Sequence, residues 1–132
     1  MALHACDVAS DYALYKGCLL GARVMLVAPC CQHEINQQID PLSFPLLLKH
    51  GLLQERFSAL LTDAIRAALI ENRGYRVQLL EFVDPIHTPK NLLIRAIFQG
   101  PKVEPHQLDT LFEKFGVKPM LATLLLGIGE TR

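Results

Sequence analysis

Apolar side chains recur along the chain in two rhythms, one at helical spacing and one as short unbroken runs. Over residues 8–20, Val8, Tyr12, Tyr15 and Leu19 fall at helical spacing, with Asp7 or Ser10 available as N-cap and Gly21 as terminator. Residues 23–28, RVMLVA, form a run that ends at Pro29, as a strand buried on both faces would. Leu53, Phe57, Leu60, Leu61, Ala64 and Ala68 then step along one face of a long helix, opposite Glu55, Thr62, Asp63, Arg66 and Glu71, and Gly74 ends it. On that pattern, alanine at Leu60 or Leu61 is expected to cost about 2 to 5 kcal/mol and alanine at Arg66 much less. Residues 76–83 and 91–98 read as two further strands and residues 105–115 as a final amphipathic helix, while residues 120–128 fit either a strand or a helix.

Residues 29–51 hold several prolines and mixed polar side chains, which predicts a long functional loop with a short helix near residues 34–39. The opening MALHACD reads as the end of a strand and its following loop, with more chain expected upstream. Strands alternating with helices imply an α/β sheet with right-handed crossovers, but the link at residues 84–90 is too short for a crossover and demands an antiparallel turn. The expected fold is one α/β domain with a mostly parallel sheet. Its strand at residues 91–98 should run antiparallel between those at 23–28 and 76–83.

Hydrophobic residues make up 51% of the 132 and charged residues 20%, which excludes a disordered chain and suits one hydrophobic core. Thirteen basic residues balance thirteen acidic ones, so no overall field draws in nucleic acid and any RNA contact must be local. No run reaches the roughly 20 apolar residues of a bilayer span. Residues 1–6 are too short and uncharged for a secretory signal, so a cytoplasmic protein with no membrane partner is expected. Cys6, Cys18, Cys30 and Cys31 are not spaced as the framework of a small secreted domain and are expected as reduced thiols. Zinc held by Cys6, Cys30, Cys31 and His33 is disfavoured by the lack of a C-x-x-C pair, and no metal is expected.

LHACD at residues 3–7, VAPCCQHE at 27–34, HGLLQERFSALLTDAIRAAL at 50–69 and EFVDPIHTPKNLLIRA at 81–96 resemble a methyltransferase domain of bacterial stand-alone enzymes. Related domains occur in animal methyltransferase-like proteins and in a glutathione-transferase-like protein. The resemblance covers most of residues 3–98, with 99–132 as a carboxy-terminal extension, and PCCQH and HTPKN are its most specific pieces. It implies the carboxy-terminal half of a class I, Rossmann-like methyltransferase dependent on S-adenosylmethionine. A whole domain of that kind has an upstream strand, a glycine-rich turn for the cofactor and an acidic residue for its ribose. None of these precedes Leu3, and Gly127 and Gly129 follow no strand. An incomplete cofactor site, inactive by itself, is therefore expected.

In open α/β sheets the ligand sits beyond the carboxyl ends of the parallel strands. By the resemblance, His4, Ala5, Cys6 and Asp7 border the cofactor, Cys30, Cys31 and His33 act in catalysis, and Pro29, Glu34, His87, Lys90 and Asn91 contact the acceptor. His33 is the candidate base, because an unperturbed histidine has a pKa of about 6.5, near working pH. Each assignment has a plainer rival: packing for Cys30 and above all for Cys18, a turn cap for His33, and an ordinary tight turn for HTPKN. His50 and His106 read as surface or helix-end residues. The Cys-Cys-x-His segment is also similar to the CCHH signature of a family of transfer-RNA 2′-O-methyltransferases, which makes RNA the leading acceptor class. The alternative is a non-catalytic α/β module that meets a partner, or a second copy, through an exposed edge at residues 23–28.

Overall fold

A computed structural model describes residues 2–5, 8–29, 32–81, 92–101 and 105–130, with backbone alone at 2–5 and 127–130. In chain order the elements are β1 (Ala2–Ala5), α1 (Val8–Leu19), β2 (Val24–Pro29), α2 (His33–Gln38), a 3-10 turn (Pro41–Ser43), α3 (Pro45–Leu48), α4 (Gly51–Glu71), β3 (Tyr75–Glu81), β4 (Leu92–Phe98), α5 (Asp109–Phe115) and α6 (Met120–Glu130). The stretch expected as a long loop is more helical than its prolines suggested. Pro41 and Pro45 each stand at the start of a helical turn, where proline's missing N–H costs nothing, and the Asp40 carboxylate caps the first turn by accepting from Leu42 N at 2.9 Å.

The strand order is β1-β2-β4-β3. β4 lies between β2 and β3 and runs antiparallel to both, with Val27 opposite Ile94, Met25 opposite Ala96 and Val77 opposite Ala96. This placement is the expected one, but the expectation of a mostly parallel sheet is corrected. β2 and β3 are kept apart by the reversed strand, so two of the three pairings are antiparallel and only β1–β2 is parallel. β2 is therefore an inner strand rather than an edge, although β1 meets it only at Val27, Ala28 and Pro29.

One face of the sheet is covered. Met25, Val27, Ile94, Ala96 and Tyr75 pack against Leu14 of α1, Ile70 of α4 and Leu121 and Leu125 of α6. The alternate residues look the other way: Val24 is 54% exposed, Leu80 and Arg95 are exposed, and Arg95 Nη1 donates to Gln78 Oε1 at 3.0 Å across the strands. Burial of β2 on both faces thus holds at its carboxyl end, where Val27 and Ala28 point to opposite faces and are both buried, and fails at Val24, where the strand begins. A second core joins Ile35, Ile39, Leu48, Leu61, Ile65 and Val117, with Phe57 against Phe115 at 5.5 Å between ring centres.

The buried stripe of α4 differs most from the apolar pattern. Leu61, Ile65 and Ile70 are buried as hydrophobic spacing requires, but Ser58, Thr62, Asp63 and Arg66 are buried with them, and Leu60 is 73% exposed. The helix is turned so that a polar ridge faces inward, and polar groups accept burial when they are paired. α6 resolves the ambiguity at residues 120–128 as a helix, since Leu121, Ala122 and Leu125 are buried while Thr123 and Leu126 are exposed. The last helical stretch is shorter than residues 105–115. Asn72 holds His106 away from helical geometry by accepting from its N–H at 2.6 Å and donating to its carbonyl at 3.1 Å, and α5 begins only at Asp109.

Candidate functional site

β1 and β2 end together. Ala5 is the registered partner of Pro29, with a register irregularity between Leu3 and Ala5. Parallel strands that finish side by side deliver their following loops to one edge of the sheet, where ligands of such folds bind. Of the expected residues, Ala5 and Pro29 are brought together there, Pro29 is buried, and His4 lies in β1 one residue before. His33 is exposed at the first position of α2. Cys6, Asp7, Cys30, Cys31, His87, Lys90 and Asn91 lie outside the described residues.

Glu34 is half-buried, and its Oε1 accepts from Met120 N at 2.7 Å, while Gln38 Oε1 accepts from Lys118 N at 2.6 Å. Two side chains of α2 thus hold the start of α6, supplying acceptors to N–H groups that a helix cannot pair internally. One oxygen of Glu34 therefore serves the fold.

Immediately after the end of β2, the chain is tied inward by a buried polar cluster that the sequence did not single out. Arg66 of α4 is 1% exposed; its Nε donates to Asp11 Oδ1 of α1 at 2.7 Å and its Nη1 to Asp63 Oδ1 at 3.0 Å. Asp63 Oδ2 accepts from Gln32 Nε2 at 3.0 Å. Among the described residues Gln32 Oε1 is buried with no hydrogen-bond partner, a condition that costs about 1 to 3 kcal/mol. Beside the cluster, Asp11, Glu34, Thr62 and Arg66 line a cavity of about 10 Å³, the room of a single water-sized sphere. The available signal was the i,i+3 pair Asp63 and Arg66, together with Gln32 inside PCCQHE.

Burial pushes the Asp63 carboxyl above its ordinary range; Arg66 and Gln32 pull it back and Asp11 pushes it up further. For Arg66, burial works against the charge, but the attraction and hydrogen bonds of Asp11, and then of Asp63, outweigh it and leave the guanidinium firmly protonated. Asp11 is thus the main partner of Arg66, and Asp63 carries a net burial cost. Elsewhere, Cys18 is half-buried and burial raises its thiol to about 11, with Arg73 opposing the shift. This fits the packing role expected for it.

Two open depressions of about 320 and 360 Å³ lie elsewhere. The first is beside Gly74 and Gly100, where β3 begins and β4 ends, and the second is beside Arg73 and His106. In the second, His106 Nε2 lies 2.6 Å from Glu71 Oε2. Neither adjoins the paired ends of β1 and β2. Among the described residues no group of three histidine, cysteine or acidic side chains is placed to hold a metal ion, and no helix is long and apolar enough to cross a membrane.

No curated protein and no solved structure matches the chain. Residues 1–38, the stretch that holds β1, α1, β2 and α2 and with them the paired ends at Ala5 and Pro29, match the model of a family described as a methyltransferase domain, which supports methyltransferase activity at that coarse level.

Proposed function

We propose that the chain is the acceptor-side part of a class I, Rossmann-like methyltransferase that uses S-adenosylmethionine and methylates RNA. The observation that carries this reading is the coincidence of the matched stretch with two parallel strands ending side by side at Ala5 and Pro29. The reversed strand β4 between β2 and β3 stands where the short link at residues 84–90 led it to be expected. In this reading the end of β1 and the residues after it, His4, Ala5, Cys6 and Asp7, border the cofactor, while Pro29, Cys30, Cys31, His33 and Glu34 face the acceptor. The backbone geometry fits such a group, since β1 and β2 end side by side at Ala5 and Pro29.

The cofactor, when bound, supplies a methyl group on a sulfonium sulfur. The chain's own residues hold the acceptor in line with that methyl group and keep it at attack distance, which is where positioning contributes most to rate. His33, exposed at the start of α2, takes the proton that the acceptor sheds. Lys90, Asn91 and His87 hold a phosphate or a polar edge of the acceptor, a local contact that the balanced net charge permits.

The test is an amide-resolved NMR titration of the 132-residue chain with S-adenosylhomocysteine to millimolar concentration. Weak binding is expected, with shifts concentrated at residues 3–7 and 29–34. Absence of shifts at both stretches would overturn the reading. Micromolar affinity of the monomeric chain would contradict a partial cofactor site.

A further inference from the structure

We propose that the buried cluster Asp11, Arg66, Asp63 and Gln32 is a clasp that fixes the entry to α2 against the start of α1, and that Arg66 and Gln32 are positioning residues for the paired ends of β1 and β2. The inference rests on the methyltransferase reading for what binds at those ends, but the clasp itself rests on geometry.

Asp11 stands in the first turn of α1, directly downstream of the β1 loop, and Gln32 stands at the entry to α2, directly downstream of the β2 loop. The two are joined through α4: Asp11 to Arg66 at 2.7 Å, Arg66 to Asp63 at 3.0 Å, and Asp63 to Gln32 at 3.0 Å. All four residues are at least nine-tenths buried, so water does not loosen the chain of contacts. Arginine suits the central place because its planar fork presents Nε and Nη1 in fixed directions, so that the bond to Asp63 on the same helix aims the guanidinium at Asp11 of α1. Gln32 carries a further mark. Its Nε2 donates to Asp63, but among the described residues its Oε1 is buried without a partner, so the side chain adds little net stability where it stands. What the Nε2 to Asp63 contact does supply is a fixed place for the chain at the entry to α2.

The test compares Gln32→Met, which keeps length and removes both polar atoms, with Leu61→Val, which weakens the neighbouring core without touching the clasp. Three quantities are read on the full chain: melting temperature, ligand-free amide shifts, and the affinity for S-adenosylhomocysteine. Gln32→Met is expected to melt near the wild-type temperature, because relief of the unpartnered Oε1 offsets the loss of the donor to Asp63 Oδ2, to shift the amides of residues 8–11 across the clasp, and to weaken the nucleoside about fivefold or more. Leu61→Val is expected to lower the melting temperature and leave affinity within about twofold. Gln32→Glu should restore neither, because it sets a carboxylate against Asp63.

Unchanged amides at residues 8–11 in Gln32→Met would overturn the clasp, whatever the ligand does. Equal loss of affinity in Leu61→Val would reduce it to ordinary packing and also overturn it. If the wild-type chain shows no response to the nucleoside, the methyltransferase reading fails, and the ligand-free shifts still decide the clasp.

Discussion

Arg66 Nε lies 2.7 Å from Asp11 Oδ1, an ion pair between residues 55 positions apart in which both side chains are almost wholly out of water. Such a pair contributes little compared with a well-packed apolar substitute, but removing one partner strands the other, and that asymmetry sets the energetics of α4.

Alanine at Arg66 is therefore expected to cost about 3 to 5 kcal/mol, at least as much as alanine at buried Leu61, for which about 2 to 5 kcal/mol is expected. Leu60, 73% exposed, should cost less than about 1 kcal/mol when truncated. Urea midpoints of the three variants check the order, and a cost at Leu60 equal to that at Leu61 would place the buried stripe of α4 elsewhere.

The strand and helix rhythm of this chain was legible because its apolar runs are short and bounded by Gly21, Pro29 and Gly74. The place of β4 was legible because a link as short as residues 84–90 permits only one kind of turn. The inner face of α4 was not. Hydropathy assigns Asp63 and Arg66 to solvent, and only a partner from elsewhere in the chain, here Asp11 and Gln32, reverses that assignment. The candidate site was legible as motifs, since the paired ends at Ala5 and Pro29 fall inside the two quoted for them. The engagement of Glu34 with Met120 spans 86 positions and leaves no local mark in the sequence.

Asp63 gives the fold a pH dependence of definite sign. Its carboxyl is raised from an ordinary value of 3.8, so the folded chain binds that proton more readily than the unfolded one. The contribution is present in full below that value and is lost as pH rises from 3.8 through the folded pKa. Stability of the wild type relative to Asp63→Asn should thus fall over that window and level off above it. Melting curves from pH 3 to 8 check this, and a rise over the same window would mean that Arg66 and Gln32 outweigh burial.

Cys18 should be nearly inert. With its thiol raised from 9.0 to about 11, the thiolate fraction at pH 8 drops about 100-fold below that of an ordinary cysteine. Iodoacetamide labelling of the native chain, followed by peptide mass spectrometry, is expected to modify Cys18 at least tenfold more slowly than in urea. Equal rates would show that the site opens freely.

Gly74 and Gly21 both have positive φ, at 92° and 65°, but differ in their surroundings. A Cβ on Gly74 would stand 2.3 Å from the backbone oxygen of Gly100, whereas one on Gly21 would meet nothing within 4 Å. Gly21→Ala should cost about 1 to 2 kcal/mol from backbone strain alone. Gly74→Ala should cost about 1 to 3 kcal/mol more, because the obstacle is main chain and cannot rotate aside. Thermal melts of the two variants test the difference, and equal losses would mean that the Gly100 segment yields.

The reversed strand between β2 and β3 also bears on how the chain is made. The inner partner of both is the last of the four described strands to be synthesised: Val24 must wait for Ile97, and Tyr75 for Phe98. During translation β2 and β3 leave the ribosome with no mutual pairing to adopt, and their apolar side chains and the edges that pair with β4 stay in water until the segment ending at Phe98 has cleared the exit tunnel. Distant pairings of this kind close slowly and leave strand edges exposed meanwhile. The nascent chain therefore passes through an interval of stickiness in which the helices are the parts able to form alone, and a chaperone that shields β2 would act before residue 98 emerges and have no sheet to protect afterwards.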